Sequence, residues 1–251
     1  MSEHSQQATA AGVSPFRGDG TPAALAALVP EGGPWELEIG FGKGRYLLAR
    51  AAAEPGRRFL GIEVAGEYFR LAAGRLARRR LANVALLRGD ALALLSTRLP
   101  PRFAAAVHVY FPDPWPKKRH RKRRLFSTAA LDLVLGALAP GGVLSFATDF
   151  VAYGEEVAAL LAAEPAVELE RLAGGWPEGP RTNYEAKYVV AGRPIVRLRA
   201  RVAGDGLGVR TGARDDLTIA VTARRTSGAE ATAQPDGMGR FAMTLPPGSR
   251  Q

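Results

Sequence analysis

The chain has 251 residues, 47% of them hydrophobic, and carries a formal net charge of +10 with no cysteine. That length supports one sizeable core, so one large domain with irregular ends is expected rather than two full ones. No window approaches the ~18 consecutive apolar residues of a membrane span, the N-terminal stretch Met1 to Gln7 lacks a signal peptide's charged and apolar regions, and the missing thiols exclude disulfides, thiolate zinc sites, iron-sulfur clusters and cysteine nucleophiles. The expectation is a cytoplasmic protein with no membrane partner, no metal and a phosphate-bearing ligand, because each neutralised phosphate releases counterions.

A lead over residues 1–34, partly disordered and rich in Ala, Ser, Gly and Gln, precedes a domain expected over 35–203. Strand-length apolar runs then alternate with amphipathic stretches. Trp35 to Ile39 is followed by a helix near Gly44 to Ala53, Arg58 to Val64 by one near Glu67 to Arg80, and Asn83 to Arg88 by a short one near Ala91 to Thr97. Ala104 to Phe111 precedes a helix near Ser127 to Ala139, and Gly142 to Thr148 one near Val151 to Ala163. Strand-like stretches near Val167 to Leu172 and Ala186 to Val202 complete the pattern, the last with an antiparallel partner. The expected class is α/β: a Rossmann-like, mostly parallel seven-stranded sheet with helices on both faces. From 204 to 251 the composition shifts to Gly, Thr, Ala and Arg, with weak alternation at 217–221 and 241–245 that fits either a loose hairpin or a flexible tail.

In such sheets ligands sit beyond the carboxyl ends of the strands. The first such end is Glu38-Ile-Gly40-Phe-Gly42-Lys-Gly44, whose glycines allow a tight turn and close backbone approach. Glu63 closes the second strand 23 positions after Gly40, near the interval at which an acid meets the ribose hydroxyls of a nucleoside. Asp90 closes the third and suits an exocyclic amine, with helix capping as the competing role for both acids. Glu38 would repel a pyrophosphate and suits a cation, which favours S-adenosylmethionine over a dinucleotide. Beyond the fourth strand, Phe111-Pro-Asp113-Pro-Trp115-Pro fixes a carboxylate between two prolines, and Lys117 to Arg124 then holds seven Lys or Arg and one His in eight residues.

The motifs Glu38 to Gly44, Gly61-Ile-Glu-Val64, Gly89-Asp-Ala91, Phe111 to Arg124, Thr148-Asp149 and Thr182-Asn-Tyr-Glu-Ala-Lys187 resemble, in order, those of the bacterial tRNA (guanine-N7-)-methyltransferases, class I S-adenosylmethionine-dependent enzymes. The resemblance implies methylation of guanine N7 in the tRNA variable loop. It also implies cofactor binding by Glu38, Gly40, Gly42, Gly44, Glu63, Asp90 and Asp113, with Asp113 at the reaction centre. Lys117, Asp149, Thr182, Asn183, Tyr184 and Glu185 would hold the substrate. Lys118, Arg119, Arg121, Lys122, Arg123 and Arg124 read as a clamp on the RNA backbone, His120 as a further phosphate contact, and Trp115 as a stacking residue or a rim filler. Arg78 to Arg80 fit the C-terminus of a helix. Because N7 has no proton to lose, Asp113 is expected to orient the base and balance charge rather than act as a base. Methylation of another RNA nucleotide, or an inactive RNA-binding relative, remains the alternative, and the chain is expected to be a monomer or a homodimer.

Overall fold

The computed structural model describes residues 33–203; most of the lead, the extension and the weak strands expected at 217–221 and 241–245 lie outside them. Seven strands form one sheet: β1 (Trp35–Ile39), β2 (Arg58–Glu63), β3 (Val84–Arg88), β4 (Ala104–Tyr110), β5 (Leu138–Thr148), β6 (Val167–Arg171) and β7 (Val196–Val202). Between them run α1 (Arg45–Ala53), α2 (Gly66–Arg79), α3 (Ala91–Thr97), a 3-10 helix at Lys118–Arg123, α4 (Thr128–Gly136), α5 (Val151–Ala162) and α6 (Asn183–Val190). The order is β3-β2-β1-β4-β5-β7-β6, parallel except for β7, which is antiparallel to β5 and β6. Succession reverses between β1 and β4, so a crevice opens at their carboxyl ends, where folds of this kind hold ligands.

The strand period of two decides what reaches that crevice. Trp35, Leu37 and Ile39 of β1 join the main core with Leu92 and Leu95 of α3, Leu131 and Val134 of α4, and Val157 and Leu161 of α5. On the other face, Leu47 and Leu48 of α1 and Ala72 and Leu76 of α2 pack on Phe59 and Leu86. Gly61, the β2 partner of Glu38, lets that layer close, since a Cβ there would stand 2.6 Å from both Leu47 Cδ2 and Phe41 Cδ1. Each fully buried Leu or Phe contributes about 1.5–3 kcal/mol, enough in sum to carry polar residues on this second face. Those residues are Glu36 and Glu38.

Two boundaries differ from the sequence expectation. The helix expected to reach Ala139 stops at Gly136, and β5 starts at Leu138; Ala139 precedes Pro140, a position disfavoured in helical conformation. The single strand expected over Ala186 to Val202 is a helix, Asn183–Val190, then a break at Gly192 with φ of 62°, then β7. The β-branched pair Val189 and Val190 suggests a strand, but the cap at Thr182 described below overrides it.

Candidate active site

Glu36 and Glu38 are 2% and 3% exposed on the same face of β1, yet their surroundings are opposite. Glu36 accepts from Arg50 Nη2 at 3.2 Å and Arg57 Nη1 at 3.0 Å, and meets His108 Nε2 at 3.3 Å. Burial by itself would raise this carboxyl, but His108 and Arg50 outweigh it and hold it at about 2. Burial pushes His108 down; its Nε2 faces Glu36 and its Nδ1 lies 3.0 Å from the Tyr110 hydroxyl. That hydroxyl oxygen in turn accepts from Arg181. Glu36 is thus fully partnered within the protein. Glu38 is not, because its Oε2 has no hydrogen-bond partner among the described residues. Burial pushes its carboxyl up to about 8, with the Glu63 charge adding and the Leu47 N–H and Arg181 opposing. A buried, unpartnered carboxyl at the ligand edge of a sheet is a candidate partner for a cation.

The turn beyond Glu38 is open. Gly40, Gly42 and Gly44 have φ of 72°, 52° and 69°, which a side chain would strain, and a Cβ at Gly40 or Gly42 would meet nothing within 4 Å. Glu63 ends β2 and ties the turn to it, its Oε2 accepting from Gly42 N–H at 2.9 Å and its Oε1 from Ala65 N–H at 2.8 Å. A carboxylate oxygen has two acceptor sites, so each still has room for a ligand hydroxyl. Val64, next in the chain, is 67% exposed. Asp90 caps α3 through Oδ1, which accepts from Ala93 N–H at 3.0 Å; the capping role is real and occupies one oxygen. An open turn, a carboxyl awaiting a cation and an acid at the next strand end fit the methionine and ribose parts of S-adenosylmethionine. The same set disfavours an anionic pyrophosphate.

Asp113 is exposed in the loop after β4. On either side, Phe111 and Trp115 have φ of 52° and 39°, a conformation costing about 1–3 kcal/mol per residue that the surroundings must hold. Phe111 N–H donates to Ala147 O at 2.7 Å, and its ring packs on Tyr184 and Tyr188. The Trp115 ring has the Arg123 guanidinium 5.0 Å away and the His120 ring 5.8 Å away. Lys117, Lys118, Arg119 and Arg123 are exposed, while the side chains of Arg121 and Lys122 are outside the described set. Arg124 departs from its expected RNA contact. It is 4% exposed, donates from Nε to Pro114 O at 2.6 Å, pairs with Glu156 and stacks 4.8 Å from the Tyr153 centroid. With its edges committed inside the protein, it braces the Asp113 loop from below.

Thr182 to Glu185 opens α6 with a capping arrangement. Thr182 Oγ1 accepts from Glu185 N–H at 3.0 Å, and Glu185 Oε2 accepts from Arg181 N–H at 2.8 Å. Glu185, expected to face substrate, is 0% exposed with Oε1 accepting from Arg197 Nε at 2.6 Å. In this arrangement both its oxygens are used to seat the helix. Asn183 and Tyr184 are exposed, and Asn183 Oδ1 accepts from Arg45 Nη1 at 2.8 Å, fastening α6 beside the glycine turn. Asp149 follows β5 and faces Arg193 at 3.4 Å.

A family model described as "Putative methyltransferase" matches residues 33–198. The tRNA (guanine-N(7)-)-methyltransferase of Treponema pallidum (strain Nichols) is 40% identical over 192 residues, covering 75% of this chain and 74% of the relative. That of Nitrosococcus oceani is 38% identical over 188 residues, 73% of this chain and 78% of its own. The chain belongs to the tRNA (guanine-N(7)-)-methyltransferase family. Among solved structures, the 16S rRNA methyltransferase KamB superposes with a TM-score of 0.56 over 74% of this chain and 95% of its own, at 15% identity. That likeness speaks to the fold.

For a tRNA (guanine-N(7)-)-methyltransferase, the residue least legible in the sequence is Arg181. Its guanidinium lies 3.9 Å over the Trp176 ring, pairs with Glu178 and bonds to Tyr110. Nothing in Pro180-Arg181-Thr182 marks it among so many arginines. Only the fold brings it near Glu38.

Proposed function

We propose that this chain transfers a methyl group from S-adenosylmethionine to N7 of a guanine in the variable loop of tRNA. The observation that carries the cofactor part is Glu38, a buried carboxyl with an unpartnered oxygen near the carboxyl end of β1. In this reading Glu38 takes the α-ammonium, Glu63 the ribose hydroxyls, Asp90 the adenine amine through its second oxygen, and Val64 one face of the purine. The glycines at 40, 42 and 44 let the backbone approach. When bound, the cofactor supplies a methyl group activated by a sulfonium, so the bond to sulfur breaks with its electron pair as the bond to N7 forms.

Guanine N7 offers an in-plane lone pair and no proton, so Asp113 need not abstract one. It orients the base, touches the methyl donor and stabilises the positive charge growing on the imidazole ring. The strained backbone at Phe111 and Trp115 supports this role by holding the carboxylate in place before substrate arrives. Trp115 and Tyr184 border the base. Thr182 Oγ1 accepts within its cap and keeps its own proton to donate, and Asp149, Asn183 and Lys117 offer further polar contacts. Lys118, Arg119, Arg121, Lys122 and Arg123 contact phosphates. The methyltransferase domain is assigned to 35–203, in line with the family match over 33–198, and a tRNA substrate supports a cytoplasmic address. No helix among the described residues is long and apolar enough to cross a membrane.

The test is incubation with bulk tRNA lacking this modification and methyl-labelled cofactor, followed by digestion to nucleosides. Label in 7-methylguanosine is expected. Label in another nucleoside, or none with the cofactor bound, would overturn the reading.

A further inference from the structure

Arg75, Arg78 and Arg79 share one face of α2, at the spacing that stacks helical side chains. With Gly44, Arg45 and Leu48 at the start of α1 and Asn183 of α6, they line a cleft of about 450 Å³. Among the described residues none of the four guanidiniums forms an ion pair. Two are oriented by neutral oxygens: Arg75 Nη1 donates to Lys43 O at 2.7 Å and Arg45 Nη1 to Asn183 Oδ1 at 2.8 Å. The helix dipole accounts for Arg78 and Arg79, in the last turn of α2. It opposes Arg45, which opens α1 with no acid in its first turn. Four like charges in one cleft repel each other, and an anion there removes the repulsion. The cationic cofactor does not qualify, although the cleft and the glycine turn share Gly44.

Placement indicates which anion. The basic 3-10 helix follows β4 and leads into Arg124, which pairs with α5 on one face of the sheet; α1 and α2 cover the opposite face. The two basic surfaces therefore flank the crevice from both sides. A small phosphate would engage one of them, whereas a folded RNA with its target nucleotide in the crevice carries backbone to both, releasing counterions at each phosphate met. We propose that the arginine cleft between α1 and α2 is a second RNA-backbone site, taking phosphates of the tRNA away from the target nucleotide. This rests on the RNA-methylating reading above.

The test compares the full chain with Arg75→Gln/Arg78→Gln/Arg79→Gln, and with Arg78→Glu/Arg79→Glu, which alters exposed side chains alone. Binding of unmodified tRNA and of a stem-loop carrying only the target arm is measured between 50 and 200 mM salt. Expected for both variants is about tenfold or greater weakening for tRNA, with the triple variant's log–log salt slope reduced by about 2–3, near 0.9 per lost phosphate contact. Stem-loop binding and cofactor affinity should be unchanged. If either variant, folded by near-ultraviolet dichroism, binds tRNA with wild-type affinity and slope, the second site is refuted. Equal weakening for stem-loop and tRNA refutes it too. Failure of the wild-type chain to bind tRNA at all would instead bring down the proposed function on which it rests.

Discussion

Glu38 offers the sharpest test, because burial holds its carboxyl at about 8 in the ligand-free protein. At pH 7 such a group is about nine-tenths protonated, yet pairing with an α-ammonium requires the carboxylate. Cofactor binding at pH 7 should therefore expel about 0.9 proton per complex. Affinity should rise about 30-fold between pH 5.5 and pH 7, a window below the titration of a free α-amino group. Calorimetry in two buffers of different ionisation enthalpy reads the proton directly, and Glu38→Gln should abolish both the release and the pH dependence. Stability supplies an independent arm. Here the folded value lies above the unfolded 4.5, so the unfolded chain releases its proton first. Stability of the ligand-free protein is then lost as pH rises from about 4.5 to 8, reaching about 3 kcal/mol at pH 7. Glu38→Gln should recover that amount in ligand-free denaturation at pH 7 and nothing at pH 4. Near-zero proton release with a pH-independent affinity would refute the assignment.

Asp113→Asn should slow methyl transfer about 100-fold in single turnover with saturating cofactor, the scale of losing one preorganised electrostatic partner; near-full rate would remove Asp113 from the reaction centre. Arg123→Gln and Arg124→Gln, adjacent in sequence, should separate. The first reduces the salt slope of tRNA binding by about 0.9 with melting unchanged. The second lowers stability by about 1–3 kcal/mol, because Pro114 O loses its donor and the buried stack on Tyr153 is lost; a melting temperature that does not move would show Arg124 is not a brace. In chemical denaturation Glu185→Gln should cost about 3–5 kcal/mol, leaving the buried Arg197 guanidinium without its counter-charge, and Thr182→Ala about 1 kcal/mol for the cap. A Glu185→Gln protein of wild-type stability that fails to bind substrate would return Glu185 to the substrate set.

Much of the fold was legible because it is local or periodic. Alternating strand-length and helix-length runs specify a doubly covered parallel sheet, and the glycine turn with acids at successive strand ends points to a ligand site of negative charge at their carboxyl ends. The Thr182-x-x-Glu185 capping pattern was present too, but two valines at 189 and 190 hid the helix it starts. Tertiary structure alone decided the rest. Glu36 and Glu38 are indistinguishable in Trp-Glu-Leu-Glu-Ile, and they differ because two arginines and a histidine, from α1, the loop after it and β4, converge on one and none of them hydrogen-bonds the other. Arg123 and Arg124 look equally like a phosphate clamp, until the loop geometry turns one to solvent and the other beneath Pro114. Arg181 has no local signature at all. Sequence determines what chemistry a segment can offer, whereas burial and long-range partners determine which groups are left unpaired to use it.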